Sequence, residues 1–136
     1  MKIKYFKDVL EPQKAHSKDC GLDLYLPESF RLHPLETKVI GLGIGISVPE
    51  GFAAMLVPRS STAKKGLICQ TSIIDPGYTG EIHLVITNCS NEIYDFYEYD
   101  RLVSLIIYSI LNPNLEKVEE FEKTERGEKR FGSSGK

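Results

Sequence analysis

The sequence predicts a single all-β domain, either a sandwich or a barrel. Alternating apolar residues recur in several short runs, and Pro27, Pro34, Pro49, Pro58 and Pro76 punctuate the chain between them. Helical periodicity is almost absent. At 136 residues the chain is long enough to bury roughly two thirds of its unfolded-state surface in one core, without disulfide or metal staples.

In "TKVIGLGIGISVPEG", Leu42, Ile44, Ile46 and Val48 stand at period two with glycines between them, until Pro49 and Gly51 break the run. This predicts a half-buried strand leading into a turn. "SSTAKKG" predicts one short helix, with Ser60 or Ser61 as its cap, two lysines toward its C-terminal dipole and Gly66 as its stop. "EIHLVITN" repeats the strand pattern, with Ile82, Leu84 and Ile86 on one face. "RLVSLIIYSIL" is a β-branched run long enough for a central strand. Beyond Pro113 the composition shifts, and 12 of the last 21 residues are Asp, Glu, Lys or Arg. Residues 1–112 are therefore expected to form the domain, and residues 113–136 a flexible C-terminal arm.

Apolar residues make up 41% and charged residues 26%, with a net charge of −2. Such a balance gives no overall field to draw a nucleic acid or an anionic membrane onto the protein. Cys20, Cys69 and Cys89 are odd in number and lack CxxC spacing, which argues for reduced thiols rather than a disulfide framework or structural zinc. The start "MKIKYFKDVL" has no apolar segment of a secretory signal, and no run approaches the roughly 20 apolar residues that cross a bilayer. An intracellular, cytoplasmic location is the expectation.

Four stretches place polar groups where loops between strands are expected, and such loops carry reactive groups more often than strand faces do. "KDCGLDLYL" offers Asp23. "VPRSSTAKKG" sets Arg59 before Ser60 and Ser61, a bidentate phosphate donor followed by hydroxyls. In "IIDPGYTGEIHLVITN", Asp75 ends an apolar strand and a tight Pro76-Gly77 turn brings Tyr78 back beside it; such a carboxylate can orient a water beneath a flat substrate. The tail "ERGEKRFGSSGK" adds Arg126, Arg130, Phe131, Ser133 and Ser134 among glycines. Each stretch also has a purely structural reading: a turn carboxylate, an N-cap beside a surface arginine, an Asx-turn with a packed tyrosine, or a solvated terminus. Residue by residue, the pattern describes binding of a phosphorylated ligand that carries a base, together with a metal.

In order, "CGLDLY" (20–25), "PRSS" (58–61), "IIDPGYTGEI" (73–82), "DRLVSLI" (100–106) and "RGEKRFGSSG" (126–135) resemble the five motifs of the homotrimeric dUTP diphosphatase (dUTPase) family. The resemblance implies a β-barrel with jelly-roll character and Mg²⁺-assisted hydrolysis of dUTP to dUMP and pyrophosphate. Such a reaction limits uracil incorporation into DNA and supplies dUMP for dTMP synthesis. It also implies a homotrimer with shared sites, the arm completing a neighbouring one. By this resemblance Asp75 holds and activates the water that attacks the α-phosphate, and Tyr78 packs on the deoxyribose, excluding a 2′-hydroxyl. Asp23 belongs to the network around metal-bound waters, while Arg59 and Ser60 contact the phosphate chain, Ser60 near the bridging oxygen. Gln70, Thr71 and Ser72 form the uracil-reading hairpin, and Ser61, Arg101 and Gly132 are further substrate contacts. Arg126, Ser133 and Ser134 close over the outer phosphates while Phe131 stacks on uracil.

The chain departs from the family pattern in the uracil-reading hairpin, where "CQTSII" stands in place of a small glycine-containing stretch, and at three further positions. Tyr99 stands where the fourth motif has glycine, Ser104 where it has glutamine, and Arg130 where a glycine precedes the phenylalanine of the fifth. Two rival readings follow. The related dCTP deaminases share stretches similar to "RSSTAKKG" and "IDPGYTGEIHLVITN", but their catalytic glutamate corresponds here to Val85, which cannot shuttle a proton. A non-catalytic regulatory relative is the other, and it has no need of Asp75.

Overall fold

The computed structural model describes residues 1–128. In chain order the elements are β1 (Lys2–Tyr5), β2 (Gly21–Leu24), β3 (Phe30–Leu32), β4 (Thr37–Gly41), β5 (Ile44–Ser47), β6 (Phe52–Pro58), α1 (Ser60–Ala63), β7 (Leu67–Cys69), β8 (Ser72–Ile74), β9 (His83–Asn88), β10 (Tyr94–Phe96) and β11 (Val103–Ser109). All strand pairs are antiparallel. The main sheets run β2-β11-β6-β8 and β4-β9-β7, with two-stranded β1-β5 and β3-β10 pairs beside them, a jelly-roll-like arrangement. No helix among the described residues is long and apolar enough to cross a membrane.

The central-strand expectation for "RLVSLIIYSIL" holds: β11 pairs with β2 along one edge and with β6 along the other. Its period-two pattern buries Val103 and Leu105 against Leu24 and Leu56 of the flanking strands. Facing them, β9 buries Leu84 and Ile86, and β4 buries Ile40, so one apolar cluster fills the space between the sheets. Fully burying each such side chain contributes roughly 1.5–3 kcal/mol. Two buried polar side chains tie the connections down: Thr62 donates to the Leu102 carbonyl (2.8 Å), and Asn88 donates to the Glu92 carbonyl (2.7 Å).

Three local expectations are corrected. The run Leu42–Val48 is not one strand. Gly43 has φ +71°, and its carbonyl accepts the N–H groups of Phe6 and Lys7. Because a ladder cannot pass through a left-handed residue, β4 and β5 are separate, although Leu42, Ile44, Ile46 and Val48 are all buried. Neither Ser60 nor Ser61 caps α1. The chain leaves β6 still extended at Arg59 (φ −70°, ψ 150°), so Arg59 takes the cap position without a side-chain bond and the serines lie inside the first turn. Gly66, at φ +73°, does end this turn. Finally, Asp23 is not a turn residue: it lies within β2 and is 6% exposed. Past Ser109 the described residues hold no further strand or helix, and Leu111, Leu115 and Phe121 are exposed.

Candidate active site

The strand register explains how Asp23 is tolerated in the interior. Ser104 of β11 stands directly opposite it, and the Ser104 hydroxyl donates to Asp23 Oδ1 at 2.7 Å. Arg59 Nε lies 3.3 Å from Oδ1, and Arg101 Nη1 donates to Oδ2 at 3.2 Å. A buried carboxylate needs charged or hydrogen-bonded partners, and this one has three. The arginines are themselves fixed. Arg59 sits between β6 and α1, donating through its backbone N–H to the Leu102 carbonyl and through Nη1 to the Arg101 carbonyl, while Arg101 lies over the Tyr25 ring at 5.9 Å.

This cluster forms one wall of a cleft of about 290 Å³ lined also by Asp19, Cys20 and Ser60. Ser60 is exposed at its rim. Arg59 also borders a second cleft, of about 300 Å³, that adds Ser61, Lys65, Tyr99 and Arg101. Arg59 thus borders two solvent-open clefts, one carrying the Ser60 hydroxyl and the other Arg101 and the Ser61 hydroxyl, groups suited to a phosphate chain. Tyr99 occupies a left-handed conformation, φ +69°, which gives the physical reason for a glycine at that place in the motif. Its phenol is held above the usual tyrosine range, chiefly by its hydrogen bond with Glu98 and by that residue's charge.

Asp75, Tyr78 and Ser72 line a different cleft, of about 220 Å³, with Ile73, Glu81 and His83. The Tyr78 N–H donates to the Asp75 carbonyl (3.2 Å), and Gly77 has φ +87° after Pro76. Pro76 and Gly77 thus occupy the central positions of a type II turn. The acceptor is the main-chain carbonyl, so the side chain of Asp75 is not consumed in an Asx-turn. Tyr78 is half-exposed, its hydroxyl donating to the Glu81 carbonyl at 2.7 Å. Gln70 and Thr71 are exposed on the short connection between β7 and β8, the former tied by its N–H to the Val85 carbonyl (2.9 Å).

Within one chain the structure therefore gathers Asp23, Arg59, Ser60, Ser61 and Arg101 on one side, and Ser72, Asp75 and Tyr78 on another. The cleft holding Asp75 and the cleft holding Asp23 share no residue. Arg126 is described but is exposed in the irregular final segment. Arg130, Phe131, Gly132, Ser133 and Ser134 lie outside the described residues. Sequence reasoning missed Ser104 as a partner of Asp23, because nothing local says that two residues 81 positions apart face each other. It also passed over Gly80, where an added Cβ would lie 2.5 Å from the Tyr78 hydroxyl; the only signal was a glycine between Thr79 and Glu81.

A metal would not be held here by a cage of side chains, since no group of three or more His, Cys, Asp or Glu suited to a metal occurs among the described residues. One buried carboxylate facing a phosphate-sized cleft, with Asp19 on its wall, fits a cation that keeps its waters and takes its other ligands from substrate phosphates, as Mg²⁺ does.

Fold and site together define a nucleotide-phosphate-binding jelly-roll, with phosphate-side cations in one cleft and a turn-borne carboxylate beside a tyrosine in another. Comparisons with known proteins specify the family. A family model described as dUTPase matches residues 8–135. The deoxyuridine 5′-triphosphate nucleotidohydrolase of Clostridium novyi (strain NT) is 36% identical over 127 residues, covering 91% of this chain and 89% of that protein. The enzyme of the same name from Clostridium tetani is 34% identical, covering 100% and 97%. A mutant dUTPase of Staphylococcus bacteriophage 80alpha, solved with dUpNHpp, superposes with a TM-score of 0.93 at 32% identity, covering 98% of this chain and 97% of that one. A mutant dUTPase of phage phi11 of S. aureus, described with a structural Mg(II) ion, gives a TM-score of 0.84 at 28% identity, covering 90% and 98%. The chain belongs to the dUTPase family.

Proposed function

We propose that the protein is a dUTP diphosphatase, converting dUTP and water to dUMP and pyrophosphate, with Mg²⁺ as cofactor and the active site built between copies of the chain in a homotrimer. The observation that carries this reading is the division of the family's motifs between two separate clefts of one chain. In this reading a neighbouring copy brings its Asp75 cleft to face the Asp23 cleft.

In the assembled site the Asp75 carboxylate accepts a hydrogen bond from the attacking water and takes its proton as the water oxygen bonds to the α-phosphorus. The bond from that phosphorus to the bridging oxygen breaks, and pyrophosphate leaves. Arg59 and the hydroxyls of Ser60 and Ser61 face the phosphates, and Ser60 meets the charge that develops on the bridging oxygen. Asp23 would hold Mg²⁺ through the ion's waters, and the chemistry the ion would supply there is neutralisation of phosphate charge. Tyr78 packs against the deoxyribose, and Ser72 with the neighbouring Gln70 and Thr71 faces the base. Residues 113–136 act as an arm that reaches a neighbouring site, where Arg126, Phe131, Gly132, Ser133 and Ser134 cover the nucleotide and exclude water other than the nucleophile. An intracellular place of action, where nucleotide pools lie, completes the proposal.

Pyrophosphate release measured across dUTP, dCTP, dTTP and UTP with Mg²⁺ tests it. Turnover confined largely to dUTP is expected, and its absence from a purified trimer would contradict the assignment.

A further inference from the structure

The alternating glycines of "GLGIG" are not explained by strand formation, since only Gly43 has a positive φ among the three. What Gly41 and Gly45 provide is space. A Cβ on Gly41 would lie 2.5 Å from Oε1 of Glu81, and one on Gly45 would lie 2.5 Å from the carbonyl oxygen of Gly80. Gly80 repeats the theme from the other side, where a Cβ would meet the Tyr78 hydroxyl at 2.5 Å and its Cζ at 2.7 Å. Gly41 and Gly45 thus leave room for the segment Tyr78–Glu81, and Gly80 within it leaves room for the Tyr78 ring, so that the segment packs directly onto the junction of β4 and β5.

Hydrogen bonds complete the seat. The Gly43 N–H donates to Glu81 Oε1 (2.8 Å), the Leu42 N–H to the Ile82 carbonyl (2.9 Å) and the Ile82 N–H to the Ile44 carbonyl (2.8 Å). The Tyr78 hydroxyl donates to the main-chain oxygen of Glu81 at 2.7 Å, and His83 Nδ1 lies 3.0 Å from that same oxygen. Residue 81 is therefore held by its side chain to one element and holds the tyrosine by its backbone. A half-exposed ring on a turn would otherwise have little to fix its angle.

We propose that Glu81 is a positioning residue: anchored in the space left by Gly41 and bonded to the Gly43 N–H, it fixes the Tyr78 ring at the sugar side of the nucleoside cleft and so sets discrimination against a ribose 2′-hydroxyl. This rests on the dUTP diphosphatase reading above. Specificity of this kind depends on placement, and a misplacement of about 1 Å can change rates by as much as 100-fold.

The test compares kcat/KM for dUTP and for UTP in wild type, E81Q, E81A, Y78F and the E81A/Y78F double variant, each checked for folding by thermal melting. The dUTP/UTP ratio is expected to fall by roughly tenfold in E81A and in Y78F. It is retained in E81Q, whose amide oxygen can accept the same Gly43 N–H. Because the two groups act in series, the double variant falls no further than the lower single one. Equal losses on both substrates, or a wild-type ratio in E81A, overturn the proposal by reducing Glu81 to a structural role. Should E81A fail to fold, Y78F with a wild-type ratio overturns it equally. A wild-type protein that releases no pyrophosphate from dUTP is a separate outcome: the functional reading fails, and this inference with it.

Discussion

The two carboxylates of the site are built in opposite ways. Asp23 is buried within a paired strand, clamped by two arginines and a serine, whereas Asp75 is exposed at the end of β8 and takes part in no ion pair among the described residues. The difference fixes one charge within the fold and leaves the other open to solvent. A carboxylate already shared among three donors is a rigid edge against which phosphates and hydrated cations can be placed. One left open on a turn keeps its lone pairs for a water.

The largest effect that would sharpen this contrast is expected at Asp75. Asp75→Asn cannot take the proton from water, so kcat for dUTP falls by roughly 10³-fold while KM stays close to that of the wild type. Steady-state pyrophosphate release reads both, and near-normal kcat would remove Asp75 from its role. The same change should leave the melting temperature almost unaltered, since that side chain makes no hydrogen bond or ion pair among the described residues.

Asp23→Asn should lose turnover too, but by loosening the phosphate side of the site rather than by removing the proton acceptor, and with a loss of stability that Asp75→Asn does not show. It leaves two guanidinium groups without their counter-charge, and urea unfolding should show a loss of about 2 kcal/mol, less than for a wholly buried pair because both arginines are partly solvated. Ser104→Ala removes one bond to the same carboxylate and should cost about 1 kcal/mol. If Asp23→Asn were as stable as wild type, the clamp would be no more than a surface contact.

How far each half could be read from sequence follows the same division. Asp75 and Tyr78 were legible because Pro76-Gly77 at the end of an apolar run specifies a tight turn locally. The Asp23 cluster was legible only as residue types: its geometry depends on β2 pairing with β11 in one register, and strand pairing across such separations has no local signature. The glycine and serine errors share a cause as well. Backbone angles at Gly43 and Arg59 are set by what the neighbouring strands require, and these override the local preference for a continuous strand or a serine cap.

Away from both clefts, a smaller effect calibrates what an exposed pair contributes. Arg31 donates to both oxygens of Asp95 across the β3-β10 pair (2.7 and 3.0 Å), and these bonds, then the charge itself, hold the Asp95 carboxyl below its ordinary 3.8. Since the folded value lies below the unfolded one, the pair's contribution is present above pH 3.8 and is lost as pH falls through the depressed value. The gap in melting temperature between wild type and Asp95→Asn should therefore be small at neutral pH and close as the solution is acidified. A gap that widens in acid would contradict the sign. The thiols offer a parallel check at the other end of the scale. Burial pushes Cys69 up to about 11, whereas Cys20 and Cys89 are exposed. Alkylation of the folded protein at neutral pH should accordingly modify two cysteines and spare Cys69.

The central claim, that opposed half-sites from different copies make one active site, is tested most directly by mixing Asp75→Asn and Asp23→Asn subunits after dissociation and reassembly. Each variant alone is expected to be nearly inactive. In randomly mixed trimers, a site drawing Asp75 from one copy and Asp23 from another is intact in about a quarter of cases, so roughly a quarter of wild-type turnover should return. A mixture no more active than the separate variants, with exchange verified by mass, would contradict the account.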